Sequence, residues 1–205
     1  MKKIATTTLL ALAVSAGAMA VASTANAGNT KSFTSTMQVP ATPVSINVTL
    51  GEDLAHRADN LSDDIRDRFK SRSRRNGFAN NGFFGQRDLD RLTKRLETKM
   101  AYRLEKRGFV ISEDAPTVLN LVITDARPNR PTFNQISKAT SLSFRSFGIG
   151  GAKFEGSLTS ADGEQGDVSY GWYETDIRLA QGSGTWTDAD RAIDKFARKV
   201  AKSFR

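Results

Sequence analysis

Apolar and polar residues alternate along several stretches of the chain, and each stretch predicts a β-strand. Val44–Leu50 has the period of two expected of a strand that is buried on one face. Residues 117–125 are apolar on one side and partly apolar on the other, which is typical of a central strand. Residues 153–159 and 168–179, separated by a turn at Asp162-Gly163, predict an antiparallel hairpin.

Shorter patterns predict two more strands and a β-bulge. Residues 109–111 form a short apolar run, and residues 142–147 predict another strand before a glycine cluster. In the last strand the apolar positions change parity between Trp172 and Tyr173. A change of parity requires one extra residue, so we expect a bulge at Gly171.

Apolar residues at intervals of three and four predict three helices. The first is moderately amphipathic and covers residues 52–68, and the second runs from Asp88 as its N-cap to Gly108. The third begins with Thr187 or Asp188 as its cap. Taken with the strands, this order of elements indicates an α+β fold, in which an antiparallel or mixed β-sheet has helices packed on one face.

The start of the chain has the pattern of a cleaved signal peptide. Residues 1–3 are basic, residues 4–22 carry no charge, and residues 25–27 are the small residues that precede a signal-peptidase site. We expect cleavage after Ala27, export to the periplasm, and no transmembrane span after cleavage. Because Gly28 stands where a lipoprotein has cysteine, we expect no lipid anchor.

The mature chain is predicted to be one domain behind a short leader. Residues 28–43 are polar and contain two prolines, so we interpret them as an extended leader. Residues 44–205 form the single α+β domain. Within it, residues 71–86 are rich in Gly, Asn and Phe without a regular period, which predicts a loop. This loop is either a connection whose phenylalanines pack on the core or a mobile aromatic flap beside a site.

Composition excludes several chemistries. The chain has 205 residues, no cysteine and one histidine, and its formal net charge is +8. Without cysteine there is no disulfide, no zinc–thiolate site and no thiol nucleophile. His56 alone cannot supply catalysis by a histidine pair. We therefore expect a non-enzymatic protein with no cofactor and no metal. Cleavage removes Lys2 and Lys3 and no acidic residue, so the expected mature charge is +6.

Two further motifs bear on catalysis and phosphate binding. The glycines in residues 148–151 lack the Gly-Lys-Ser/Thr ending of a phosphate-binding loop and precede a predicted strand, so they indicate a turn. Glu174 and Asp176 lie at alternate positions and would share one face of a strand. A hydrolase that uses these two carboxylates on envelope glycans is the less favoured alternative.

The positive charge is the remaining lead to a function. An exported protein meets phospholipid head groups, lipopolysaccharide phosphates and acidic glycans, so we predict an anionic lipid or glycan as ligand and no nucleic acid. Arg127 and Arg130 lie on a proline-stiffened turn and offer bidentate contacts. Trp172, Tyr173 and Trp186 offer aromatic faces for a sugar or a lipid interface, with core packing as the alternative for both tryptophans.

A second class of function is structural. An assembly subunit of the cell envelope would bind another envelope protein through an exposed sheet edge or through the loop at residues 78–84.

Three short motifs resemble a family of uncharacterised proteobacterial envelope proteins, many of them lipoproteins. The motifs are Asp-Ala-Arg-Pro-Asn-Arg-Pro-Thr at residues 125–132, Ser-Phe-Gly-Ile-Gly-Gly-Ala at residues 146–152 and Thr-Trp-Thr-Asp-Ala at residues 185–189. The resemblance covers roughly residues 44–205 in the order of elements. It implies an α+β domain behind an export signal and carries no reaction and no catalytic residues. This chain differs from many such relatives because no cysteine follows its signal.

Overall fold

The structure is a computed structural model that describes residues 31–59, 84–139 and 141–204. The predicted signal peptide and most of the loop predicted at residues 71–86 lie outside the described residues. None of the helices in the described part of the chain has the length and apolarity needed to cross a bilayer.

The described residues form a mixed sheet with helices. The strands are β1 (Lys31–Ser35), β2 (Val44–Leu50), β3 (Thr117–Arg127), β4 (Gly151–Ser160) and β5 (Gly163–Tyr173). The helices are α1 (Glu52–Asp59), α2 (Gln86–Glu105), α3 (Phe133–Lys138) and α4 (Thr187–Ser203), with a 3₁₀ turn at Ile177–Ala180.

The sheet has the strand order β1-β5-β4-β3-β2. β2 pairs with β3 in parallel, and the other neighbours pair antiparallel. The long helices α2 and α4 pack against each other and against the sheet. This arrangement confirms the α+β prediction, and the sheet is mixed.

The core lies between one face of the sheet and the two long helices. β3 directs Leu119, Leu121 and Ile123 into it, as its alternating pattern predicts. On α4, Phe196 stacks on Phe154 of β4 with ring centroids 4.8 Å apart and planes 4° apart. Burying a side chain of this size stabilises the fold by about 1.5–3 kcal/mol. The periodic residues of the strands and helices therefore supply the core.

The segment predicted as a leader contributes to the sheet. Within residues 28–43, β1 pairs antiparallel with β5, and Phe33 lies opposite Tyr170. The pairing continues past the strand, because the Thr36 N–H donates to the Asp167 carbonyl at 2.8 Å. β1 is therefore an edge strand that packs with the domain.

Two predicted strands are wrong. In residues 109–111, Ile111 makes only an isolated bridge to Val44. Residues 142–147 form irregular turns, and the Phe144 side chain is 71% exposed. Phe109 and Ile111 are half-buried and pack against the core without forming a strand, whereas Phe144 and Phe147 are exposed. A short apolar run therefore marks a strand in neither segment. The α3 helix, which precedes the second segment, was not predicted.

The bulge predicted at Gly171 is also wrong. Gly171, Trp172 and Tyr173 stay in regular register with β4, and the shift in this hairpin lies between Ser157 and Thr159. The parity changes because Tyr173 faces away from the helices, on the other side of the sheet. The predicted strand also ends at Tyr173, since Ile177–Ala180 is a 3₁₀ turn.

The helix ends differ from the predicted caps. α2 begins at Gln86, so Asp88 lies in its first turn and accepts a hydrogen bond from Trp186 Nε1 at 2.8 Å. α4 begins at Thr187 with Trp186 at the N-cap position. The predicted helix at residues 52–68 is described only as α1, and its remainder lies outside the described residues.

A buried polar network joins three loops at one end of the sheet. Asn129, from the loop after β3, accepts the Asp188 N–H at 2.8 Å and donates to the Asp188 carboxylate. The same carboxylate accepts the Gly150 N–H at 3.2 Å and an Arg191 N–H at 2.9 Å. Asn129 and Asp188 are both fully buried. Asn129 therefore acts as a cap for α4 from a distant part of the chain.

The three motifs that carry the family resemblance meet in this network. Asn129 belongs to the first motif, Gly150 to the second and Asp188 to the third. The backbone of Asn129 also donates to the Thr185 carbonyl at 2.7 Å and accepts from the Gly148 N–H at 2.9 Å. The motifs are therefore explained by structure, since each supplies a group that holds this end of the sheet together.

Asn129→Ala is expected to lower the free energy of unfolding by about 2–4 kcal/mol, because it leaves the buried Asp188 carboxylate and N–H short of partners. Urea denaturation of the mature chain measures the change. Asn47→Ala is the control, because the Asn47 side chain is exposed and its hydrogen bond runs to Asn120 on the neighbouring strand, outside the buried network. Equal, small effects of the two substitutions would contradict the structural role of the network.

Candidate functional site

Four side chains meet at the end of β3, on the sheet face that points away from α2 and α4. Asp125 accepts a hydrogen bond from the Tyr173 hydroxyl at 2.7 Å and from Arg127 Nε at 3.0 Å. Arg57, from α1, donates to the other Asp125 oxygen from both of its terminal nitrogens at 3.4 Å. The Arg127 guanidinium also lies 4.3 Å from the centre of the Tyr173 ring. We call these four residues the Asp125 cluster.

A register shift in β3 produces this arrangement. The pairing of β3 with β4 shifts between Ile123 and Asp125, which leaves one residue of β3 unpaired. After the shift Ala126 faces the core, and Asp125 and Arg127 face the opposite side. The extra residue thus changes which side chains point outward.

Gly151 makes room for the tyrosine. It lies opposite both Arg127 and Tyr173 in the sheet. A Cβ atom on Gly151 would lie 2.5 Å from Tyr173 Cδ1 and 2.3 Å from the Trp172 carbonyl oxygen. The Tyr173 ring can therefore reach Asp125 only because residue 151 has no side chain.

Two guanidinium groups surround one carboxylate in the Asp125 cluster, so the cluster has an excess positive charge. Burial raises the pKa of Tyr173 far above its usual value, and the neighbouring Asp125 charge raises it further. The phenol therefore stays protonated and donates to Asp125. The Arg127 side chain is 38% exposed, so one of the two cations can reach a ligand from solvent.

A shallow polar groove extends along the same face of the sheet. Its volume is about 520 Å³. Hydroxyl, amide and carboxylate groups at its rim come from Thr34, Thr36, Asn120, Glu155, Ser157, Asp167 and Ser169. Ser35, Val122, Gly156 and Val168 complete the lining, so carbon atoms form much of the groove surface. Between the groove and the Asp125 cluster, Lys153 lies opposite Asp125 and pairs with Glu155 at 3.0 Å. The polar groove and the cluster therefore form one continuous surface.

Arg130 does not belong to this surface. Its Nε donates to the Ser183 carbonyl at 3.1 Å, and one terminal nitrogen donates to the Arg145 carbonyl at 3.0 Å and to the Ser146 carbonyl at 3.4 Å. The other terminal nitrogen donates to the Gln181 carbonyl. Arg130 is thus a clamp between two loops. This corrects the expectation that Arg130 and Arg127 bind a ligand together.

Both tryptophans lie in the core, which corrects their prediction as ligand-stacking residues. Trp172 and Trp186 are 4% and 3% exposed. Trp186 packs edge-on against Phe84 with ring centroids 5.4 Å apart. Lys195 covers the Trp172 ring with its ammonium 3.6 Å from the ring centre. Of the five predicted binding residues, Arg127 and Tyr173 come together in the Asp125 cluster.

Both carboxylates of the alternative hydrolase accept hydrogen bonds from nearby backbone N–H groups. Glu174 accepts the Thr175 N–H at 2.8 Å and the Asp176 N–H at 3.3 Å. Asp176 accepts the Arg178 N–H at 3.0 Å, which caps the 3₁₀ turn, and its carboxylate binds the Arg178 guanidinium at 2.7 Å. The Arg178 hydrogen bonds lower the pKa of Asp176 to about 2. A general acid needs a raised pKa, so Asp176 lacks the property of that role.

The basic helix faces are partly neutralised. On α2, Arg91 pairs with Asp190 of α4 at 2.7 Å, and Lys99 pairs with Asp194 at 3.4 Å. These two ion pairs link α2 and α4 at the partly exposed edge of their interface. Within the described ranges, no group of three or more His, Asp or Glu side chains is placed to hold a metal ion.

Sequence reasoning missed Asp125 and Arg57 as members of the site. Arg57 lies in a charged helix, and nothing in its local pattern distinguishes it from neighbouring charges. Asp125 is the first residue of the motif at residues 125–132. An acidic residue two positions before Arg127, at the end of a predicted strand, is the sequence feature that points to it.

No family model matches the chain, and no curated protein does. Among solved structures, the chain is similar to a PelC dodecamer from Paraburkholderia phytofirmans, with a TM-score of 0.40 and 12% sequence identity. The match covers 83% of this chain and 97% of that chain. A likeness at this level says nothing about function.

Gly151→Ala is expected to lower the free energy of unfolding by about 1–3 kcal/mol, because the added methyl group overlaps Tyr173 and the Trp172 carbonyl. Thermal denaturation followed by circular dichroism measures it. Gly171→Ala is the matched control in the neighbouring strand, where a Cβ would meet only Lys153 Cγ at 3.8 Å. A loss as large in the control would contradict the tight fit at Gly151.

Arg178→Ala is expected to raise the pKa of Asp176 from about 2 part of the way toward its ordinary value of 3.8, because the guanidinium hydrogen bonds are lost and the backbone N–H of residue 178 still donates. Carbon-13 NMR of the side-chain carboxyl during an acid titration measures the pKa. An unchanged Asp176 titration in the variant would contradict the assigned cause.

Proposed function

We propose that this chain is a non-enzymatic protein of the bacterial cell envelope that binds an anionic glycan or glycolipid head group. The binding surface is the polar groove together with the Asp125 cluster. The observation that carries the proposal is the pair of arginines around one carboxylate, Arg57 and Arg127 on Asp125, at the end of a groove rich in hydroxyl and amide groups.

The lining of the groove suits a sugar. Sugars present many hydroxyl groups, each of which donates and accepts hydrogen bonds. The groove offers matching groups on four neighbouring strands: Thr34 on β1, Ser169 on β5, Ser157 on β4 and Asn120 on β3. A shallow, open surface of this kind fits an extended chain better than a small enclosed ligand.

The Asp125 cluster suits the anionic group of such a ligand. A guanidinium binds carboxylate or phosphate with two parallel hydrogen bonds, and such charge-assisted bonds are stronger than neutral ones. Asp125 and the Tyr173 ring hold Arg127 in place without covering it. A ligand would therefore meet a cation whose position is already set, which lowers the entropy cost of binding.

The proposal places the protein in the periplasm, as its predicted signal peptide implies. The proposed binding needs no catalytic group. Of the carboxylates near the groove, Asp125 pairs with arginine and tyrosine, and Glu155 pairs with lysine. An assembly subunit is the second class of function proposed for this chain. The feature that favours it is the edge of β2, which no other strand of the described residues pairs beyond the bridge from Val44 to Ile111.

Arg57→Gln with Arg127→Gln is expected to weaken binding about tenfold or more, because each charge-assisted hydrogen bond contributes about 1.5–3 kcal/mol and 1.4 kcal/mol is a factor of ten. The mature protein is titrated by calorimetry with oligogalacturonate, which carries carboxylates, and with lipopolysaccharide, which carries phosphates. Neutral dextran is the ligand control. The two anionic ligands distinguish the source of the negative charge.

Arg107→Gln is the matched protein control for Arg127→Gln alone, since each removes one positive charge and Arg107 lies at the opposite end of the sheet. Arg107 precedes the segment that joins the start of β2, whereas Arg57 and Asp125 lie beyond the ends of β2 and β3. The control should bind like the unaltered protein. Equal weakening by Arg107→Gln, or no binding of either anionic ligand, would contradict the proposal.

A further inference from the structure

Exposed apolar side chains cluster on two loops at the end of the sheet that carries the Asp125 cluster. Phe144 is 71% exposed and Leu179 is 55% exposed, and Phe147 and Ile177 are each 40% exposed. We call these four residues the apolar loop patch. Single exposed apolar residues are ordinary, but a group of them on adjoining loops marks an interaction surface.

Arg130 shows that the two loops adjoin. Its guanidinium binds the Arg145 and Ser146 carbonyls of one loop and the Gln181 and Ser183 carbonyls of the other. The same guanidinium lies 5.3 Å from the centre of the Phe147 ring. The hydrogen bonds of one half-buried cation therefore hold the two loops of the patch together.

The charge of the surrounding chain selects the partner. In the first loop, residues 128–147 contain three basic residues, Arg130, Lys138 and Arg145, and no acidic residue. The second loop, residues 174–183, adds Arg178 and the two acids Glu174 and Asp176, so the two loops together keep a net positive charge. Arg145 and Lys138 are exposed. Apolar side chains flanked by exposed cations match a surface with an apolar interior and anionic head groups.

The Arg130 contacts also suit a surface with little water. Backbone carbonyls without a partner are costly where a bilayer excludes water, and Arg130 supplies hydrogen bonds to four of them. Phe144 and Leu179 can then enter the apolar layer while the nearby backbone keeps its hydrogen bonds.

We infer that the apolar loop patch seats the protein on an anionic lipid bilayer, with Phe144 and Leu179 entering the interface and Arg145 and Lys138 meeting the head groups. The polar groove lies on the sheet face and remains open to a ligand in this orientation. The inference stands on different residues from the proposed glycan site, so either one can fail without the other.

The test is flotation of the mature protein with unilamellar vesicles. Vesicles of phosphatidylglycerol and phosphatidylethanolamine should carry the protein, and vesicles of phosphatidylcholine should carry much less. Phe144→Ser with Leu179→Ser should reduce binding to the anionic vesicles about tenfold or more, because both apolar side chains are lost. Val39→Ser with Val110→Ser is the matched control: these valines are 56% and 58% exposed and lie toward the other end of the sheet. It should leave binding unchanged.

A second readout follows entry into the bilayer directly. Phe144→Trp should show fluorescence that brominated phosphatidylglycerol quenches, after subtraction of the buried Trp172 and Trp186 signal from the parent protein. Vesicle binding that the double serine variant retains would overturn the inference, and so would absence of both flotation and quenching. Capture of an envelope protein by the patch, with no vesicle binding, would assign the surface to a protein partner and overturn it as well. Arg57→Gln with Arg127→Gln should float normally, which separates this result from the glycan experiment.

Discussion

The carboxylate of Asp188 is buried at the start of α4, and the end of the sheet that carries both proposed surfaces depends on its hydrogen bonds. A buried charge costs several kcal/mol unless it is paired and fully hydrogen-bonded. Asn129, the Gly150 N–H and Arg191 supply those bonds. The loop after β3, the start of β4 and the start of α4 are thereby joined, and Arg127 and Gly151 lie within two residues of the network.

From this fixed end two surfaces extend in different directions. The Asp125 cluster and the polar groove lie on the sheet face away from the long helices, and the apolar loop patch lies on the loops beyond the strands. Arginine has a different part in each place. The Arg127 guanidinium lies against the Tyr173 ring and is partly exposed to solvent. The Arg130 guanidinium instead donates its hydrogen bonds to backbone carbonyls. A basic residue in a sequence motif is thus a binding group in one case and a clamp in the other.

Alternation of apolar residues predicted the sheet well where one face is buried, as in β2, β3 and the β4–β5 hairpin, because burial imposes the period of two. It failed at residues 142–147, where Phe144 is exposed and no core imposes a period. The sequence predicts part of the site, Arg127 and Tyr173. It does not predict Arg57, which contacts Asp125 across 68 residues of sequence. Such tertiary contacts leave no local pattern. For the same reason the sequence leaves both ligand contact and core packing open for Trp172 and Trp186.

The central claim is that the polar groove and the Asp125 cluster bind an anionic glycan, and NMR mapping tests it most directly. Nitrogen-15-labelled mature protein is titrated with oligogalacturonate while backbone and arginine side-chain signals are followed. The account predicts the largest shifts at Arg57, Arg127 and Tyr173 and at the strand residues that line the groove. Shifts confined to the basic face of α2, or none at millimolar oligogalacturonate, would contradict it.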